Sequence, residues 1–158
     1  GAAPHTPTQR TRKMTTRENI NNLNQILGQT FGLYIQTHGY HWNVEGPSFL
    51  ELHAKFEEQY NNLWAALDEI AERIRSLGAT APGTLAELTA LAGTAPKPAQ
   101  SADAMVDALI AGHAALIEAL RAGISAAQEA GDEVSAGLLT DRLAWHEKEV
   151  WMMKASRA

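Results

Sequence analysis

Between His41 and Glu72 the chain carries side chains of the kinds that bind hard metal ions: His41, His53, Glu57, Asp68 and Glu72. The last four follow the helix breaker Pro47 in a run free of proline and glycine until Gly78, so one helix can hold them all. At about 3.6 residues per turn they fall within about 100° of the circumference and share one face. His53 with Glu57, and Asp68 with Glu72, are i,i+4 pairs that can each converge on a cation. About 16 Å of helix rise separates Glu57 from Asp68, whereas ligand bonds to zinc-like ions are about 2.0–2.2 Å. One chain therefore cannot close the site. A second copy packed antiparallel across a two-fold axis brings the Asp68/Glu72 pair of one chain to the His53/Glu57 pair of the other, twice per dimer. His41 precedes a turn signal at Gly46 and Pro47, and a short reversal there returns it toward His53. Such a mixed set of imidazole and carboxylate donors is that of a site for a divalent metal ion.

The elements that must position these residues read as helices throughout. Thr15 with Glu18 forms a capping box, and Ile20, Leu23, Leu27, Phe31, Tyr34 and Ile35 recur at helical spacing, predicting a first helix over about 16–43. Ser48 with Glu51 forms a second box opening a helix over about 48–77, stopped by Gly78. Residues 79–100 are loop-like, except that Thr84 and Glu87 cap a short helix around 85–91. A third long helix spans about 102–130, Gly131 breaks it, and Asp132 starts a fourth over about 132–155. Two helix pairs joined by one long connection fit an all-α, ferritin-like four-helix bundle with a short extra helix in the crossover between helices two and three.

The 158 residues, 45% hydrophobic and 20% charged, suffice for one core, so a single bundle domain over 16–158 follows a flexible basic tail over 1–15. Without cysteine there is no disulfide framework, thiolate metal site or cysteine nucleophile. No apolar run reaches the roughly 20 residues of a membrane span, and the first residues lack the apolar core of a secretory signal, so we expect a cytoplasmic protein. Arg10, Arg12, Lys13 and Arg17 stand at the start with no acid among them, while the rest holds 9 basic against 18 acidic residues. An acidic body repels nucleic acid, but a basic arm of this kind can contact DNA phosphates, which would make the protein nucleoid-associated; the plainer role is a solubilising tail.

His41-Trp42-Asn43-Val44, Gly46, Phe49, His53 and Asp68-x-x-Ala71-Glu72-Arg73 resemble the signature of Dps, the DNA-protecting miniferritins, and the likeness runs from about residue 18 to 155. It implies a ferroxidase and iron store: a homo-oligomer, a hollow dodecamer of tetrahedral symmetry, that oxidises Fe(II), preferably with hydrogen peroxide, and keeps the ferric mineral inside. It further implies that His41, His53 and Glu57 of one subunit act with Asp68 and Glu72 of its two-fold partner, with zinc or manganese able to replace iron. Trp42 matches the family tryptophan credited with intercepting stray oxidising equivalents. Asp132, Glu133 and Asp141 loosely match acidic residues lining a three-fold pore, where Gly137 stands in place of a frequent acid.

Each residue also has a plainer role. Glu57, Asp68 and Glu72 would form a solvated face paired to Lys55, Arg73 and Arg75, but that leaves the histidines unexplained. His38, one turn before His41, is an auxiliary base or outlying ligand, with a structural role favoured. His113 and His146, among apolar neighbours and with no matched partner, read as packing residues, and Trp64, Trp145 and Trp151 as core or interface. The chain contains no Glu-x-x-His, the motif of di-iron centres built inside a single bundle. A rival function is a nucleoid-binding architectural protein with a structural or zinc-filled metal site, and it depends on the basic tail alone.

Overall fold

A computed structural model describes residue 1, residues 15–93, residue 98 and residues 101–158. Five helices make up the regular structure of the described residues: α1 (Thr16–Asn43), α2 (Phe49–Ser76), α3 (Leu85–Ala92), α4 (Ala102–Glu129) and α5 (Glu133–Ser156). Arg10, Arg12 and Lys13 lie outside the described residues, whereas Arg17 is exposed in the first turn of α1.

Local chemistry sets most boundaries. The Thr15 hydroxyl accepts from the Glu18 amide at 3.1 Å, Thr84 from Glu87 at 3.2 Å, Ser101 from Ala104 at 3.1 Å and the Asp132 carboxylate from Ser135 at 3.0 Å. Each satisfies an amide that the first helical turn leaves without a partner. α2 differs from expectation: Ser48 makes no side-chain cap because its ψ of 18° is nearly helical rather than extended. The chain instead enters α2 through a turn in which the Phe49 amide donates to the Gly46 carbonyl at 3.0 Å, with Gly46 at φ 114°. That turn folds His41 back over His53.

α1 and α2 form one antiparallel hairpin and α4 and α5 another; α1 packs on α4, and α3 crosses α1. The core is filled by Leu23, Ile26, Phe56, Leu63, Ile70, Leu109, Leu120 and Leu139, all at or near zero exposure. α3 lies so close to α1 that a Cβ on Gly28 would sit 2.2 Å from the Leu91 Cβ, and one on Gly32 would sit 3.0 Å from the Ala92 Cβ. The four-residue spacing of the two glycines aligns them on one face and clears a seat for the crossover helix. None of the helices is long and apolar enough to cross a membrane, among the described residues.

Candidate metal centre

His41 ends α1 and His53 stands in the second turn of α2, and the reversal at Gly46 stacks their rings at 3.8 Å between centroids and 15° between planes. Nδ1 of His41 lies 2.7 Å from the His53 carbonyl oxygen, and Nδ1 of His53 lies 2.7 Å from the His41 carbonyl oxygen. A carbonyl only accepts, so both Nδ1 atoms carry a proton, and in the neutral ring it is Nε2 that presents the lone pair. The bonds fix tautomer and ring direction together, as the outer hydrogen bond of a metal-binding histidine does. His41 is buried and Phe49 stacks on His53 at 5.0 Å, so the rings have little freedom to turn.

Glu57, one turn beyond His53, is exposed beside Tyr60; partial burial and this carboxylate raise the Tyr60 phenol above its ordinary pKa. Asp68 and Glu72 are exposed farther along α2. Among the described residues, no group of three or more histidine, aspartate and glutamate side chains is placed to hold a metal within one chain. The structure thus brings His41 and His53 together and leaves the two carboxylates of the distant pair apart from them, as the helix spacing requires.

The solvated-face alternative loses its partners. Lys55 pairs with Glu149 at 3.0 Å and Glu58 at 3.4 Å, Arg73 pairs with Asp132 at 2.8 Å, and Arg75 donates to the Ala79 carbonyl at 3.1 Å. No ion pair to Glu57, Asp68 or Glu72 occurs among the described residues, and Glu57 takes a hydrogen bond from the neutral Tyr60 phenol instead.

Asp132 is engaged within its own chain. One carboxylate oxygen caps α5 by accepting the Ser135 amide and also takes Arg73; the other accepts Asn19 at 3.0 Å and the Ser135 hydroxyl. Burial opposes its ionisation, but the Ser135 hydrogen bonds and the Arg73 charge hold its carboxyl below the ordinary range. Glu133 and Asp141 are exposed, as is Gly137, whose surroundings are open.

His113 and His146 are not bare packing residues: their Nδ1 atoms are 2.8 Å apart at zero exposure. Arg142 approaches Nε2 of His146 at 3.4 Å and donates to Asn62 at 2.6 Å, while Glu149 takes Gln59 at 2.9 Å. An arginine can only donate, so His146 is protonated on Nδ1 and donates to His113, whose Nε2 has no partner among the described residues. Burial, with Arg142 and Lys55 nearby, pushes the His113 pKa down to about 3; burial, with His113 and Arg142, pushes that of His146 down as well. The Arg142 guanidinium, buried beside the two rings, repels a further positive charge there, while the buried Glu149 carboxylate is taken up by Lys55 and Gln59. The signal is present in the sequence: Arg142, His146 and Glu149 repeat at helical spacing along one face of α5.

Residues 20–157 match the model of a family described as the ferritin-like domain. The chain is 38% identical over 136 residues to the DNA protection during starvation protein of Brevibacillus brevis, across 84% of this chain and 90% of that protein. The Dps crystal structure from Staphylococcus aureus superposes with TM-score 0.88 at 32% identity, covering 92% of this chain and 98% of that one. The Dps structure from Vibrio cholerae O1, described as a member of a broad superfamily of ferritin-like diiron-carboxylate proteins, gives 0.87 at 32% identity and covers all of both chains.

Proposed function

Because this chain belongs to the Dps family of ferritin-like proteins, we propose that it oxidises Fe(II) with hydrogen peroxide at a centre shared by two subunits and holds the ferric product inside a dodecameric shell. The observation that supports this reading is the reciprocal bonding of His41 and His53 through Nδ1, which leaves Nε2 of each ring free of the backbone. Fe(II) is the substrate. His41, His53 and Glu57 of one subunit hold it, with Asp68 and Glu72 of a second copy arriving across the two-fold axis.

Two Fe(II) give two electrons to one peroxide, which takes up two protons and becomes two waters. The chain's part is to bind and orient. Neutral imidazoles accept the ferrous ion without charge repulsion, and carboxylates from both subunits favour the product as its charge rises. The fixed Nδ1 protons keep the imidazoles from leaving as the charge changes. Stopped-flow measurement of Fe(II) oxidation by peroxide tests the centre: the His53→Ala/Glu57→Ala protein should be slower by at least tenfold, and an unchanged rate would overturn the assignment. DNA contact through Arg10, Arg12, Lys13 and Arg17 is supported by their charge and by the name of the Brevibacillus relative.

A further inference from the structure

Asp68 and Glu72, the far half of the proposed centre, stand near the end of α2, which closes at Ser76, and one arginine ties that end down. Ile70 and Ile74, both fully buried, hold the inner face of the helix in the core. At about 100° per residue Glu72 then stands opposite the core, and Arg73 falls on the flank between the two directions. From that flank Arg73 reaches the start of α5: its Nε donates to the Ser135 hydroxyl at 2.9 Å and its Nη2 to the Asp132 carboxylate at 2.8 Å.

The receiving end is itself held still. Oδ1 of Asp132 accepts Arg73 and the Ser135 amide, and Oδ2 accepts Asn19 and the Ser135 hydroxyl, so all four acceptor sites of the carboxylate are taken. Ser135 and Asn19 are fully buried. The cluster joins the first turn of α1, the last turn of α2 and the first turn of α5. Apolar burial is non-directional and lets a helix roll about its axis, whereas two N–H bonds from one planar guanidinium do not. A roll of about 10° carries a carboxylate that stands about 6 Å from the axis through about 1 Å, yet metal–ligand distances are held within about 0.2 Å.

We infer that Arg73, seated on Asp132 and Ser135, is the positioning residue of the Asp68/Glu72 half-centre; the inference rests on the metal-binding reading above. Arg73 touches no metal. It fixes the roll of α2 at this end, and with it the direction in which both carboxylates meet a second copy. Lysine would keep the positive charge beside Asp132 but has no planar fork, so it would neutralise the carboxylate and leave the roll free. The near half-centre is set against the same helix: Lys55 and Gln59, on either side of Glu57, bond Glu149 of α5 at 3.0 and 2.9 Å. α5 is thus the rail on which both halves of α2 are aligned.

Arg73→Lys in the full-length protein tests this. Metal-free crystal structures of parent and variant in one crystal form should differ by a roll at the end of α2 that moves the Glu72 carboxylate about 1 Å; ends that superpose would overturn the inference. Titration of the variant with Co(II), after size-exclusion chromatography has confirmed its assembly, should show about 10–100-fold weaker binding, the range for loss of an orienting partner, and a changed cobalt absorption spectrum. A merely structural role would lower the urea midpoint and leave affinity and spectrum as in the parent, which would also overturn it. Should Arg73→Lys fail to assemble, Ser135→Ala removes one arm of the fork and keeps the charge pair: several-fold weaker Co(II) binding is expected, and parental binding would overturn the assignment. A parent that binds no Co(II) would instead overturn the function proposed above, with the metal-free structures still deciding whether Arg73 sets the roll.

Discussion

His41 and His53 each bond the other's backbone carbonyl through Nδ1, both at 2.7 Å, so neither ring depends on the other's side chain to stay in place. Removing one imidazole leaves its carbonyl behind, and the surviving ring keeps its tautomer and direction. His53→Ala and His41→Ala are therefore expected to stay folded while losing a ligand each. Calorimetric titration with Co(II) should show about 10–100-fold weaker binding in each variant, the range seen when even the orienting partner of a ligand is lost. Undiminished affinity in both would remove the pair from the centre.

A shared centre predicts complementation. In a dimer of His53→Ala with Asp68→Ala, one centre has lost a residue from each subunit and the other is whole. Mixing the two inactive proteins under dissociating conditions and reassembling them should restore roughly a quarter of the parental centres, since about half the dimers are mixed. No recovery of Fe(II) oxidation from a well-assembled mixture would place the carboxylates elsewhere.

The close seat of α3 on α1 makes Gly28 intolerant of a methyl group. A Cβ there would lie 2.2 Å from Leu91 Cβ and 2.7 Å from its carbonyl carbon, so backbone must move. Gly28→Ala should cost about 1–3 kcal/mol, measured as a lower urea midpoint. Gly137→Ala, on an open helical surface, should gain up to about 1 kcal/mol. Equal responses would mean that α3 does not press on α1 as described.

Acid should weaken the fold through His113 and His146. Both have folded-state pKa values below the ordinary 6.5, the first at about 3. Between those limits the unfolded chain binds protons that the folded chain refuses, so stability falls as pH drops from 6.5 toward 3. The slope approaches about 1.4 kcal/mol per pH unit for each histidine. Urea midpoints at fixed protein concentration should fall less steeply over pH 6.5–4.5 in His113→Leu/His146→Leu than in the parent; parallel lines would show that the pair titrates normally.

If the basic tail holds DNA, a chain lacking residues 1–14, which keeps the Thr15 cap, should bind DNA less tightly. The slope of log affinity against log salt should shrink by about 0.9 for each phosphate that the shortened chain no longer neutralises. Unchanged gel retardation and slope would exclude the tail.

How much is legible from residues alone follows the range of the forces involved. Helix limits at Thr15, Gly78, Ser101 and Gly131 depend on side chains within a few residues of each end, and the sequence displays them directly. Ser48 resembles Thr15 in its spacing and fails as a cap because the Gly46 turn sets its ψ, a tertiary matter. The spacing of His53, Glu57, Asp68 and Glu72 can be read because one helix carries all four. The stacking of His41 on His53 is legible only as proximity; its reciprocal bonding depends on backbone carbonyls whose directions no residue type reveals. His113 and His146 lie 33 positions apart on different helices, and each stands alone in the sequence until the bundle sets them side by side.

On the proposed pairing, the separation of His53/Glu57 from Asp68/Glu72 along α2 also acts as a safety catch. A freshly made chain carries two half-centres and no whole one, so it cannot turn over iron by itself. On that pairing chemistry begins only when two copies meet, the first step toward a shell that would receive the rust. Dilution is then an off switch, and protein concentration sets both the rate of detoxification and the room to store its product.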